Sequence, residues 1–429
     1  MAKTHPFKII YLLLIGLAVR LVFMFISQWH PDLNNHIDWG IRFLDLGPQK
    51  FYENIFWGVS WPNQPLGTML LFALMALTKN VAFNFIEFLN QTFPFFPSFI
   101  IPFIESNIQV WSVKLPFILA DLGLGFFIYK IVNEFKPKAA IFASALFLFN
   151  PVLIYNSTIW GQTDSLINLL AISGIYLIFK RKYLFGIFLF LSCFLFKLSL
   201  IIYIPIFILL LVKKIKDWKK FILPIVLFFV FIYILAIPFA FGDKNPIQWL
   251  YYMYTNRILV RQGSMLNGNA FNLWFLLFGI DFSKSEFIKF GSLTYQTWSR
   301  ILLIFYLIPV CFKFIKSKLT LTSLFTSLLL TAFGTFIFLT NMHERYLYPI
   351  FPVLTVLIFL PNPKFTLKSL IILSIIHFIN LYNLWFYPLI TPIKNILIFS
   401  NFAICRVFSL ILILICLNYL VRYLKSENT

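Results

Sequence analysis

Charge is scarce in this chain of 429 residues: only 12% are Asp, Glu, Lys or Arg, and the 15 acidic residues face 35 Lys and Arg. Soluble domains carry about 25% charged residues, so no soluble domain of useful size fits this composition. Cysteine is limited to four positions, Cys193, Cys311, Cys405 and Cys416, each isolated in an apolar run. That spacing excludes a disulfide framework and a Cys-based metal site. There is no heptad pattern, no repeat period and no Gly-rich phosphate loop, which sets aside coiled coils, solenoids and P-loop nucleotide hydrolases. The first apolar run, about residues 9–26, lacks a small-residue cleavage site, so it reads as an uncleaved first span and not as a signal peptide.

What fills the sequence is apolar. Hydrophobic residues make up 60% of it, Phe alone occurs 56 times, and the mean hydropathy is +0.87. The expectation is an all-α polytopic membrane bundle with about 12 spans, each near the roughly 20-residue length that crosses a bilayer. The net charge of +20 does not indicate nucleic acid, because the basic residues fall in short clusters between apolar runs. Such clusters, at Lys136 and Lys138, Lys180 to Lys182, Lys213 to Lys220, and Lys313 to Lys318, mark cytoplasmic loops. With the N-terminus inside, most acidic residues fall on the opposite, outer face. A large first outer loop, residues 28–112, holds the apolar pieces 66–78 and 93–104. Broken by Pro, Lys79 and Asn80, these are expected to lie along the interface.

Four polar stretches share that outer face: Trp29 to Trp39, Trp160-Gly161-Gln162-Thr163-Asp164, the segment 256–274, and Asn341-Met342-His343-Glu344-Arg345-Tyr346. Ionisable groups beside lipid are costly, so a cluster of them at a membrane edge is a functional-site candidate. Asp32, beside the first span, suits a general base. Asp38 fits either a second acid or the wet face of an amphipathic helix. Gln162 and Asp164 offer acceptors for sugar hydroxyls, although Thr163 or Asp164 would equally serve as a helix cap. Lys197 interrupts an apolar stretch and fits phosphate binding or a plain turn. His343 and Arg345 offer donors to phosphate oxygens, with Glu344 placed to orient them. Among groups within the spans, Asp121 stands out as buried.

In order along the chain stand Asp32, Trp39, Phe51-Tyr52, Trp61-Pro62-Asn63-Gln64-Pro65-Leu66, Lys114-Leu115-Pro116, Asn150-Pro151, Trp160 to Asp164, Phe196-Lys197, Asn269 to Trp274 and Met342 to Tyr346. This series resembles the GT-C superfamily of integral-membrane glycosyltransferases, nearest to the users of dolichyl-phosphate glucose and mannose and their bacterial relatives. The resemblance runs over most of the chain and implies a catalytic membrane domain at 1–361, followed by C-terminal helices at 362–429. It implies inverting transfer of a hexose, mannose or glucose, from a polyprenyl-phosphate carrier to a lipid-linked or cell-surface glycan. The site would face outward from a plasma or endoplasmic reticulum membrane. Asp32 would be the general base, with Asp38 as the alternative; His343, Glu344, Arg345 and Lys197 would meet the donor phosphate; Gln162 and Asp164 would support sugar binding. The chain departs from the family's Pro-Pro pair at Pro62 to Pro65. With no clear Asp-x-Asp, no metal or other cofactor is expected. The implied partners are the carrier, the glycan acceptor and membrane lipids. A lipid-linked-sugar flippase or transporter is the alternative function; it would gather ionisable groups near the bilayer midplane.

Overall fold

A computed structural model describes residues 6–26, 30–54, 60–240, 245–259, 264–281, 283–361, 365–399 and 403–426. Trp29 and part of the segment 256–274 fall outside these ranges. The chain is a helical bundle: α1 Pro6–Met24, α2 Asp32–Phe51, α3 Leu66–Thr92, α4 Ile101–Phe135, α5 Ala140–Leu148, α6 Pro151–Ile154, α7 Asp164–Phe179, α8 Tyr183–Ser192 and α9 Ile204–Lys214. It continues with α10 Lys219–Ala236, α11 Pro246–Met253, α12 Leu273–Phe278, α13 Tyr295–Lys316, α14 Leu321–Phe338, α15 Ile350–Phe359, α16 Leu367–Tyr382, α17 Thr391–Phe399 and α18 Ala403–Lys425. One two-stranded antiparallel ribbon, Lys289–Phe290 against Leu293–Thr294, precedes α13.

Six helices among the described residues are long and apolar enough to cross a membrane, or seven if the bent pair Pro137–Leu148 and Pro151–Trp160 is one span. Several other expected spans are shorter apolar helices, such as Asp164–Phe179 and Leu367–Tyr382. The outer loop differs from its expected form. The piece expected at 66–78 continues through Lys79 and Asn80 as a single helix of 27 residues. The second belongs to a continuous helical run, Ser98–Phe135, of 38 residues. Pro94 and Pro97 fall between the helices and Pro102 sits in the first turn of α4, a position that tolerates Pro because its missing N–H has no partner to lose. The prolines therefore bound these helices instead of breaking them.

Local sequence sets several of the helix starts. Asn150 accepts from the Val152 N–H with Pro151 behind it, Asn272 accepts from Trp274 and Phe275, and Thr320 accepts from Ser323; each satisfies backbone donors that a helix start leaves open. Thr163 makes no such cap, so that expectation fails, and the side chain of Asp164 is used elsewhere. The central element is α14, whose apolar window is 89% buried. It runs directly into the 340–347 segment.

Deep in the bundle, α1, α4 and the turn after α6 are joined by charge. Arg20 Nε and Nη2 both donate to Asp121 Oδ2 at 3.1 Å, Ser157 donates to the same oxygen at 2.6 Å, and Tyr348 donates to Oδ1 at 2.8 Å. Both charged side chains are wholly buried. Desolvating such a pair is offset only when its remaining hydrogen-bonding capacity is filled, and here four donors fill it. Tyr348 lies three residues from Arg345, and Ser157 three residues from Trp160, so the buried pair anchors two walls of the chamber described next.

Candidate functional site

Residues Asp32, Asn35, His36 and Trp39 stand at i, i+3, i+4 and i+7 of α2, the spacing of one helix face. All four line one cavity of about 440 Å³. The chain enters α2 through Pro31, and Asp32 occupies the first turn, where a carboxylate is favoured by the helix dipole. His30, buried between Trp160 and Trp385 at ring distances of 4.0 and 4.2 Å, accepts the Asp32 N–H on Nδ1 at 3.1 Å. That bond fixes the neutral tautomer with its proton on Nε2.

The opposite wall begins at a π-helical turn, Tyr155–Trp160, closed by Gly161 at φ +71°. A side chain there would be strained, and its Cβ would meet Leu33 Cδ2 at 3.0 Å. This turn aims the next residues at Asp32: Trp160 Nε1 and Gln162 Nε2 donate to Asp32 Oδ2 at 3.1 and 2.9 Å. Arg345 approaches the same oxygen at 3.7 Å. Burial pushes the Asp32 carboxyl up, but Arg345, His30 and His36 outweigh it and hold it at about 2. Asp32 is therefore ionised across the physiological range; three donors face Oδ2, and Oδ1 stands 3.8 Å from His30 Nδ1.

His343 and Arg345 line the chamber beside Tyr346 and Asn341. The backbone of His343 bridges to Gly268 and Asn269, and the Gly268 N–H donates to Met342 O at 2.9 Å. A Cβ at Gly268 would lie 2.8 Å from His343 Nδ1, so glycine permits this close approach. The 267–272 turn is itself held by amides: Asn267 donates to Asn272 at 2.7 Å, Asn383 to Asn269 at 2.9 Å, and Asn380 to the Asn269 carbonyl at 2.6 Å. Burial lowers His343 to about 3, leaving it a neutral donor or acceptor.

Not every expected residue reaches the chamber. Asp38 is absent from its lining and pairs instead with Arg42, one turn along the partly exposed face of α2, at 2.5 Å. Asp164 is also absent from the chamber's lining but lines the cavity that adjoins it; its Oδ1 accepts from Lys197 Nζ at 2.7 Å and its Oδ2 from Asn156 at 3.3 Å. Both partners of that ion pair are buried. Lys197 lines both the chamber and the adjoining cavity. Glu344 accepts from Trp385 Nε1 at 2.9 Å and stands 4.0 Å from Arg345. Burial raises Glu344, and the nearby Arg345 only partly opposes this, leaving it at about 7.

Two contributors, Trp160 and Trp385, were not marked beforehand as site residues. Trp160 was noted only within its motif, yet its indole holds Asp32. His36, a supporting candidate in the Trp29 to Trp39 cluster, lines the wall. Trp385 comes from the C-terminal part beyond residue 361, and with Asn380 and Asn383 it makes those helices part of the site's frame. Its only sequence signal is an interfacial aromatic, which is too common to mark a site.

A second cavity of about 360 Å³ adjoins the chamber and is largely apolar, lined by Ile167, Leu200, Ile201, Ile202, Ala332, Leu339 and neighbours. The two share Asn63, Gln64, Lys197, Ile258 and Tyr346. Among the described residues, no group of three or more His, Cys, Asp or Glu is placed to hold a metal ion.

No family model matches the chain, and no curated protein is similar enough to match it.

Proposed function

We propose that the protein is a membrane glycosyltransferase that moves a hexose, mannose or glucose, from a polyprenyl-phosphate carrier to a glycan or lipid-linked acceptor at the outer face of its membrane. One observation carries the reading: a polar chamber with an ionised carboxylate on one wall and Arg345, His343 and Lys197 on the other joins an apolar groove at Lys197 and Tyr346. A carrier of this kind has the same three parts in series, an apolar tail, a phosphate and a sugar. The amides of Asn35, Asn63, Gln64, Gln162 and Asn341 suit sugar hydroxyls, which both donate and accept.

In the proposed reaction the acceptor oxygen attacks the anomeric carbon from the Asp32 side. The bond from that carbon to the phosphate oxygen breaks, and the electron pair leaves with the phosphate. Asp32 Oδ1 takes the acceptor proton, and the charge gathered on the leaving phosphate is met by Arg345 and Lys197. Attack opposite the leaving group inverts the anomeric carbon. Arg345 depresses the basicity of Asp32; a donor phosphate that draws Arg345 away returns some of it. The test is to incubate the purified chain in liposomes with labelled polyprenyl-phosphate mannose or glucose and a mixed glycolipid acceptor fraction. Label should move from one of the two donors and leave polyprenyl phosphate behind; no transfer from either, by protein that binds them, sinks the proposal.

A further inference from the structure

Among the described residues that line the chamber, only Trp385 comes from beyond residue 361. The backbone that carries it is unusual on both sides, with Leu384 at φ +78° and Phe386 at φ +53°. Side chains of this bulk rarely adopt that region, and such outliers gather at ligand sites, where surrounding contacts over-determine them. Here Asn383 Nδ2 donates to Asn269 Oδ1 at 2.9 Å and the Asn383 carbonyl accepts from Asn269 Nδ2 at 3.0 Å. On the other side the Phe386 N–H donates to the Tyr382 carbonyl at 3.0 Å.

The indole is then fixed by its neighbours. Its Nε1 donates to Glu344 Oε1 at 2.9 Å, a carboxylate only 1% exposed, and its ring meets buried His30 at 4.2 Å and 63°. A tryptophan that anchors a membrane protein keeps its N–H among the headgroups; this one spends it inside the protein. The ring itself is only half-buried and lines the chamber, so it offers an apolar surface to whatever enters. Trp385 is absent from the lining of the adjoining apolar cavity. It stands at the Asp32 end, because the His30 it packs on accepts the Asp32 N–H at 3.1 Å. Attack opposite the leaving phosphate brings the acceptor to that same end.

We propose that Trp385 forms the acceptor subsite, and that the acceptor presents a pyranose ring to it. The apolar C–H face of the ring packs on the indole while one of its hydroxyls reaches Asp32. This rests on the function proposed above and narrows the acceptor from any hydroxyl compound to a glycan sugar. A plain lipid alcohol has no ring face to offer.

The test uses the transfer assay above, with methyl mannoside, methyl glucoside and mannitol as competitors of the glycolipid acceptor. Mannitol carries sugar-like hydroxyls without a ring. In the wild-type chain at least one methyl glycoside should inhibit, competitively with the acceptor and not with the donor, and mannitol should not. No inhibition by either glycoside, an equal effect of mannitol, or competition with the donor overturns the inference. Trp385→Phe and Trp385→Leu both lose the Glu344 hydrogen bond, and only Phe keeps a ring. Leu should raise the acceptor KM about tenfold and Phe by no more than about threefold, the scale of one aromatic contact. Both should bind bare polyprenyl phosphate as the wild type does. Equal acceptor KM in the two variants, or an equal loss on the bare carrier, overturns the inference while the proposed function stands. If the wild-type chain transfers from neither donor, the proposed function itself fails. Should Trp385→Leu not fold, Trp385→Met takes its place, and the wild-type comparison with mannitol stands in either case.

Discussion

Two arginine–carboxylate pairs in this chain show opposite designs. Arg20 and Asp121 are wholly buried, in contact at 3.1 Å, and Ser157 and Tyr348 occupy what remains of the carboxylate. Arg345 and Asp32 are 3.7 Å apart with the carboxylate side chain 27% exposed, and Arg345 Nε has no partner among the described residues. The first pair is closed on itself and holds three segments of the bundle together. The second is loose, faces a chamber and keeps donor capacity in reserve. A group that a ligand must capture cannot be fully spent on the protein, so incomplete satisfaction is what separates a binding pair from a structural one.

Substitutions that neutralise each carboxylate should separate the two designs most sharply. Asp32→Asn is expected to cut transfer by about 10³-fold, the range seen when a general base is lost, with the thermal melting temperature nearly unchanged; near-wild-type turnover would remove Asp32 from the mechanism. Asp121→Asn should do the reverse, costing about 3–5 kcal/mol of stability because it leaves a buried arginine uncompensated. A melt within a degree or two of wild type would show that the interior pair is not structural. Arg345→Lys keeps the charge but loses the planar fork, and its kcat/KM should fall by about a hundredfold, the low end of the range for losing one charge-stabilising donor.

The smallest effect concerns Glu344, whose carboxyl is raised by burial to about 7. Its folded value lies above its unfolded one, so its contribution to stability is full below the unfolded value and is lost as pH rises through about 7. Ionisation also places a negative charge 4.0 Å from Arg345, in competition with a phosphate. Donor affinity is therefore expected to decline several-fold as pH passes about 7, by the Coulomb energy of a partly screened pair. Glu344→Gln should flatten that limb; a limb that persists would assign it to another group.

Much of this arrangement could be anticipated from the residues themselves. Polar clusters bordering lipid carry an energetic cost that makes them visible in sequence, and all four expected segments contribute lining residues to the chamber. The helical character and membrane-length apolar runs were legible for the same reason. What remained hidden depends on contacts between distant segments. Asp38 and Asp32 look alike along the chain, but their different places around α2 put one beside Arg42 and the other beside Arg345. Nothing along the chain pairs Arg20 with Asp121; the packing of α1 on α4 brings them together. Asp164 had an evident local use as a cap, and tertiary contact with Lys197 displaced that use. Lys79 and Asn80 looked like a break, whereas a helix can carry both on its surface and continue.

The central claim is that Arg345 is shared between Asp32 and a carrier phosphate. Equilibrium binding of bare polyprenyl phosphate to the wild-type chain and to Asp32→Asn tests it directly, since removing the carboxylate charge frees the guanidinium. The account predicts several-fold tighter binding by Asp32→Asn, consistent with releasing a partly screened charge pair. Equal or weaker binding by that variant would contradict it.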